Sequence, residues 1–226
     1  MPSVVALIPA GGVGARLGRR TPKQFLALGE RPILAATVRH FTTHRATIAV
    51  VVAVPASHVA RAERLLRPPG RHGRVVVVEG GASRQESVWR ALQAAPPHAE
   101  ILVVHDAVRP FITRRLIDAV VAAAHAHGAA ICALPIAETV KRVTGDVVEA
   151  TIDRAGLWAV QTPQAFRATL LREAHEKALR DGLTGTDDAM LVERLGHRVH
   201  VVRGLPANIK ITTPDDLRRA RAWVHA

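Results

Sequence analysis

Arg16 and Lys23 stand seven residues apart in PAGGVGARLGRRTPKQF, residues 9–25, a glycine-rich stretch that directly follows the apolar run SVVALIP. Glycines let backbone N–H groups approach a ligand closely, and crowded cations are costly unless something anionic lies among them. The chemistry this predicts is phosphoryl or nucleotidyl transfer, in which two cations neutralise charge as it grows on a polyphosphate. A cation about 4 Å from a phosphate charge contributes on the order of 4 kcal/mol at an effective dielectric of 20. Each gain of about 1.4 kcal/mol realised only in the transition state is a factor of ten in rate. The plain alternative is a basic pair that coats the surface.

Other glycine-loop chemistries fail on the residues. A Walker A loop needs a glycine directly before a lysine, and no glycine here precedes one. A dinucleotide fingerprint beginning at Gly12 and Gly14 would place its third glycine at position 17, which is Leu17. TIAVVVAVPASH, the second strand, also lacks the carboxylate that would hold a ribose. No HExxH or CxxC pattern argues for zinc.

These residues need a scaffold that presents loops at one edge. Short valine-rich runs (SVVALIP, TIAVVVAV, RVVVVE, EILVVHD, AAICALPI) alternate with the amphipathic segments PILAATVRHF, SHVARAERLL, SRQESVWRALQAA and TRRLIDAVVAAAHAH. Strands with little polar alternation are buried on both faces, so the pattern predicts an α/β fold with a mostly parallel sheet between helical layers. Such sheets bind ligands at the carboxyl ends of their strands, where both the glycine loop and HDAVRP, residues 105–110, fall. Residues 138–158 break the rhythm: two β-rich runs flank TGD, which predicts a hairpin projecting from the sheet. A projecting arm needs a surface to cover it. Helices are expected near 167–181 and 187–195, then the strand RVHVVRG, then NIKITTPDD and a closing helix. No linker, repeat or low-complexity segment divides residues 1–226, so one domain is expected.

Composition narrows the partners. A hydrophobic content of 48% suits a packed core, and the single cysteine, Cys132, sits in an apolar run as a buried thiol compatible with a reducing cytosol. SVVALIPA is too short for a signal-peptide core, and the alanine-rich segment near 119–137 is interrupted by His125 and His127, so neither export nor a membrane span is expected. The net charge of +12 raises nucleic-acid binding, but aromatics are 3%, tyrosine is absent and the arginine pairs at 19/20, 114/115 and 218/219 are scattered. Solvated faces explain that charge better.

PAGGVGAR with PKQFLALGERPIL, GGASRQESV, HDAVRP, ETVKR, TIDRAGLWAVQTPQAF, GTDDA and NIKITTPDDL together resemble the 2-C-methyl-D-erythritol 4-phosphate cytidylyltransferases, in order and over nearly the whole chain. The resemblance implies a three-layer, Rossmann-like nucleotidyltransferase fold. It also implies CTP and methylerythritol phosphate as substrates, Mg2+ carried mainly on the CTP phosphates without assigned protein ligands, and a cytoplasmic homodimer joined through the β-arm. Arg16 and Lys23 would stabilise the pentavalent transition state and the departing pyrophosphate. Ala10, Gly11, Gly12 and Gly14 would give close backbone approach, while Gly80, Gly81 and Ser87 would meet cytosine and ribose. Asp106 and Arg109 would lie beside the metal and the substrate phosphate. Thr139, Arg154, Thr162 and Thr186 would line the alcohol-phosphate pocket, with Thr139 and Arg154 donated by a partner's arm, and Lys210 would hold the incoming phosphate.

Plainer readings stand beside these. GGASRQESV also reads as a strand-to-helix turn capped by Ser83, and Asp106 as a capping or turn residue. Arg154 also reads as an exposed arm residue and Lys210 as a strand-edge lysine. A cytidylyltransferase for another alcohol phosphate such as ribitol 5-phosphate, a basic nucleic-acid-binding protein and a nucleotide-binding regulator are the competing functions. The chain departs from the family pattern at Gly11, where alanine is common, and at Val108, also usually alanine. At this length the bifunctional fusion with the next cyclodiphosphate synthase is not expected.

Overall fold

The computed structural model describes residues 1–12, 21–67 and 74–225, the last by its backbone alone. In chain order the elements are β1 (Val4–Pro9), β2 (Ala27–Leu28), β3 (Arg31–Pro32), α1 (Ile33–Thr42), β4 (Thr47–Val54), α2 (Val59–Leu66) and β5 (Arg74–Glu79). There follow α3 (Arg84–Gln93), β6 (Ile101–Val104), α4 (Arg114–His127), β7 (Ala129–Pro135), β8 (Val140–Thr144) and β9 (Val147–Ile152). The chain closes with β10 (Trp158–Arg167), α5 (Ala168–Arg180), α6 (Asp188–Glu193), β11 (His200–Arg203) and α7 (Pro214–His225).

Seven strands form one sheet in the order β11-β7-β10-β6-β1-β4-β5. Successive strand residues face opposite sides, and the two sets build two separate cores. Val4, Ala6, Ile8, Val50, Val52 and Val103 pack with Leu34, Val38 and Phe41 of α1 and Ile117 and Val120 of α4. Val5, Leu7, Val51, Leu102 and Phe166 pack with Val88 and Leu92 of α3 and Leu171 and Ala174 of α5. The result is the expected three-layer α/β arrangement. Side chains such as Phe41, Leu7 and Phe166 are fully buried, each worth about 1.5–3 kcal/mol by transfer from water.

Helix α4 shows how the sequence sets these layers. Thr113 caps its first turn by accepting the Leu116 N–H, and Leu116, Ile117, Val120, Val121 and Ala124 form one buried stripe. Gly128, at φ +96, ends it by donating its N–H to the Ala124 carbonyl and turning the chain into β7.

The sheet is parallel except at β10, which runs antiparallel to both β6 and β7. That strand was not expected from the sequence, because TIDRAGLWAVQTPQAF carries Pro163 in its middle and proline cannot donate to a ladder. The ladder to β7 is interrupted between Gln161 and Gln164, which brackets that proline. The predicted hairpin is present as β8 and β9, turning at Gly145 (φ +58) and Asp146. It forms a separate two-stranded sheet whose residues are largely exposed. A third apolar cluster of Leu26, Leu28, Ile33, Val108, Ile211 and Leu217 ties α7 and the β2–β3 turn against the 105–110 loop. Val108, unusual by resemblance, is thus a core residue of that cluster.

Candidate active site

Strands β1, β5 and β6 deliver three loops to one edge of the sheet. After β1 the Ala10 N–H still bonds the Ala53 carbonyl of β4, and the buried Gln24 side-chain amide donates to the Ala10 carbonyl. This clamps the short 3-10 turn Lys23–Phe25 over the end of β1. The Phe25 ring is stacked on His58, with centroids 5.1 Å apart, and Arg61 lies 4.7 Å over it. Lys23 is therefore carried on a turn held by the two residues that follow it. Gly14 and Arg16 lie outside the described residues.

After β5, Gly81 donates its N–H to Ser87 Oγ at 3.1 Å, and Ser87 donates its hydroxyl to the Ser83 carbonyl at 2.9 Å. Ser83 caps α3 by accepting the Glu86 N–H, and Glu86 reaches back to accept the Ala82 N–H, one residue before the cap, at 2.8 Å. Close packing explains the glycines: a Cβ at Gly11 would lie 2.9 Å from Ser87 Oγ, one at Gly80 would lie 3.0 Å from it, and one at Gly81 would lie 2.2 Å from the Glu86 side chain. Among the described residues nothing lies within 4 Å of a Cβ at Gly12. The capped turn and the cavity lining turn out to be one structure.

After β6 comes Asp106, only 6% exposed. Its Oδ2 accepts from Arg109 Nε at 3.0 Å and lies 3.1 Å from Lys210 Nζ, while its Oδ1 lies 3.6 Å from Arg84 Nε. Burial alone would push the carboxyl upward, but the charges of Lys210, Arg84 and Arg109 outweigh it and hold the group well below the usual carboxylate range. The loop beneath is fixed by a relay. Thr162 Oγ1 accepts the Asp106 N–H at 3.0 Å and contacts His105 Nδ1 at 3.1 Å, and His105 Nε2 meets the Arg109 carbonyl at 3.1 Å. Burial lowers His105 to about 4, so its ring is neutral near pH 7. Nε2 donates to the carbonyl and Nδ1 receives the threonine hydroxyl. Arg109 also donates to the Asn208 carbonyl at 2.8 Å, and Asn208 donates to the Thr162 carbonyl at 2.8 Å, which sets the irregular segment between β11 and α7 that carries Lys210, so Lys210 is not the strand-edge lysine of the plainer reading.

Two cavities adjoin here. One, of about 290 Å³, is lined by Ala10, Gly11, Gly12, Lys23, Gly81 and Ser87 among others. The second, of about 320 Å³, is lined by Arg109, Thr162, Gln164, Thr186 and Asp187 among others. Arg84, Asp106 and Lys210 line both and form the wall between them. Gly80 sits just behind the first cavity against Ser87. Thr186 is exposed, its hydroxyl directed at Met190 Sδ. Thr139 and Arg154 line neither cavity: both are exposed at the base of the arm, where Arg154 donates to the Ala137 carbonyl.

Sequence reasoning missed Arg84 and Asn208. Arg84 is shared between Asp106 and Asp188, yet a lone arginine in a helical segment reads as a solvated one. Asn208 stands beside the expected Lys210 and is fully buried. Its place in the quoted NIK run was the available signal. Among the described residues no three His, Cys, Asp or Glu side chains form a metal centre, and no helix is long and apolar enough to cross a membrane.

A mostly parallel sheet, a glycine loop after its first strand and a cation-ringed carboxylate between two strand-end cavities define a nucleotidyltransferase of the α/β class. More narrowly, the family model for 2-C-methyl-D-erythritol 4-phosphate cytidylyltransferase (IspD) matches residues 4–226, and the chain belongs to that family. The protein of that name from Bacillus cytotoxicus is 43% identical over 219 residues, covering 97% of this chain and 96% of its own length. The one from Symbiobacterium thermophilum is 47% identical over 219 residues, covering 96% and 91%. Among solved structures, the 2-C-methyl-D-erythritol 4-phosphate cytidylyltransferase of Thermus thermophilus aligns with a TM-score of 0.81 at 39% identity, covering 100% of this chain and 99% of that one.

Proposed function

We propose that this protein transfers the cytidylyl group of CTP to 2-C-methyl-D-erythritol 4-phosphate, releasing pyrophosphate. A phosphate monoester is already anionic near neutral pH, so the attack needs no strong general base. Its oxygen forms the new bond to the α-phosphorus as the bond to the bridging oxygen breaks, and the negative charge leaves on pyrophosphate. The protein's task is to bring two anions together and neutralise the charge that moves. The wall of Arg84, Asp106 and Lys210 common to both cavities carries this reading, since one cavity then takes the nucleotide and the other the alcohol phosphate.

Lys23 and Arg16 act on the triphosphate, with Gly11, Gly12, Gly14 and Ala10 allowing close approach. Gly80, Gly81 and Ser87 receive cytosine and ribose. Arg109, Thr162, Thr186 and Lys210 hold the second phosphate with Asp106 among them. Magnesium fits as an ion borne by the nucleotide: among the described residues Asp106 is the only carboxylate lining the first cavity, and its Oδ1 lies 3.6 Å from Arg84 Nε. Asp106 would be its protein oxygen, and the ion would supply charge neutralisation on the phosphates.

Thr139 and Arg154 complete the second cavity from the arm of a partner in a homodimer. The exposed Val143, Val147, Val148, Leu157 and Trp158 support this, because a lone chain gains nothing by presenting such a face to water. Residues 1–226 act as one domain with 138–158 as its arm, working in the cytosol, where the buried Cys132 thiol, pushed up to about 12 by burial, stays inert. A pyrophosphate-release assay on purified protein tests the reading, offering CTP with methylerythritol phosphate, with ribitol 5-phosphate, or alone. Release with the first acceptor supports it. Release only with the second moves the substrate, and steeply salt-dependent duplex binding without turnover rejects the reading.

A further inference from the structure

His175 and Asp188 have no role in the transfer as described, yet both are fully buried behind the wall common to the two cavities. His175 Nε2 lies 3.0 Å from Asp188 Oδ1, and Asp188 Oδ2 accepts from Arg84 Nη1 at 2.8 Å. Arg84 Nε in turn lies 3.6 Å from Asp106 Oδ1. A continuous polar chain therefore runs from the inner face of α5, through the start of α6 and the start of α3, to the carboxylate at the centre of the site.

The protonation states follow from the partners. His175 Nδ1 has no hydrogen-bond partner among the described residues, and the ring is stacked near Trp89, with centroids 6.2 Å apart and planes 16° from parallel. An ionised carboxylate only accepts, so His175 donates from Nε2 to Asp188 Oδ1. Burial would raise the Asp188 carboxyl, but the Arg84 charge and the bonds from His175 and Arg84 outweigh it and keep the group ionised.

Arg84 thus faces two carboxylates and sits closer to Asp188 than to Asp106. Its Nη2 has no protein partner among the described residues, although the side chain lines both cavities. We propose that His175 is a positioning residue: by fixing the Asp188 carboxylate it holds Arg84 away from full pairing with Asp106, leaving the Arg84 Nη2 donors for a substrate phosphate. This assignment rests on the transfer reading above. Without the His175 bond, Asp188 loses its orientation and Arg84 moves onto Asp106, where it competes with Arg109 and Lys210.

His175→Leu and His175→Gln test this together, because glutamine can donate the same bond and leucine cannot. In the leucine variant the KM for the alcohol phosphate should rise about tenfold, with the KM for CTP within about twofold, and the glutamine variant should return to within about threefold of the parent. The same variants are read without turnover by the 15N NMR signal of the Arg84 Nε–H, which should be resolved in the parent and glutamine proteins and broadened or shifted in the leucine protein. Should the leucine variant not fold, Asp188→Asn, which keeps the side-chain volume, should give the same selective KM rise. Equal changes in both KM values, a lowered melting temperature with unchanged KM, or no rescue by glutamine would each overturn the proposal. A parent enzyme inactive with every alcohol phosphate would instead remove the transfer reading, and the NMR comparison alone would then decide whether His175 positions Arg84.

Discussion

At the strand ends, Asp106, Arg109 and Asn208 are nearly or fully buried and each is tied to at least one neighbour. On the arm, Thr139 and Arg154 are exposed, and Val143, Val147 and Val148 turn apolar surface outward. The strand-end cleft is preorganised inside one chain, with its cations held at fixed places around a single carboxylate before any substrate arrives. Preorganised charge of this kind costs no rearrangement at the moment of reaction. The arm's exposed residues, on the proposed reading, gain a function only when a partner's surface covers them. Disrupting the cleft should therefore alter chemistry and stability, whereas disrupting the arm should alter substrate capture alone.

The largest effect should come from Lys23→Ala, which is expected to lower turnover at least about a hundredfold with the fold retained. Pyrophosphate release and circular dichroism on the same sample check it, and undiminished turnover would reject the assigned role. Next is Asp106→Asn, which leaves three cations around an uncharged group and should cost about 3 kcal/mol of stability or more in urea unfolding. Because the folded carboxyl lies below its ordinary range, its stabilisation is complete above the unfolded value of about 4 and is lost as pH falls through the lower folded value. The parent protein should therefore lose stability more steeply in acid than the asparagine variant.

Arg154→Ala should raise the KM for the alcohol phosphate about tenfold while leaving the KM for CTP and the unfolding midpoint nearly unchanged. Mixing it with Lys23→Ala should recover activity if the arm completes a neighbour's cavity, because one of the two sites in a heterodimer would then carry both intact residues. No recovery would mean that each chain uses its own arm. The smallest effect is local. Asp216 accepts the N–H groups of Thr212 and Thr213 at the start of α7, and although its partial burial opposes it, these bonds lower its carboxyl to about 2. The first turn of α7 should fray as pH falls from about 4 toward about 2, seen as faster amide exchange at Leu217. Asp216→Ala should remove that pH dependence.

The layers were legible because valine-rich strands alternate with amphipathic helices, and the strand-end position of HDAVRP followed from them. The TGD hairpin was legible from its turn residues. β10 was not, since Pro163 interrupts its ladder and the run reads as loop. Asp106 and Lys210, candidates through their motifs, line both cavities, but Arg84 left no such signal, because it is held by two carboxylates that are distant in sequence, at 106 and 188. Long-range pairing of this kind leaves no local pattern. The Ser83 cap and a cavity-lining Ser87 looked like alternatives in sequence, yet both belong to one turn.

On the proposed function, two anionic substrates occupy the adjoining cavities at the same time, across the wall of Arg84, Asp106 and Lys210. Titrating methylerythritol phosphate into protein already saturated with a non-hydrolysable CTP analogue and magnesium measures this directly by calorimetry. Binding of one alcohol phosphate per chain, without release of the analogue, is the predicted result. Mutual displacement of the two ligands would contradict it.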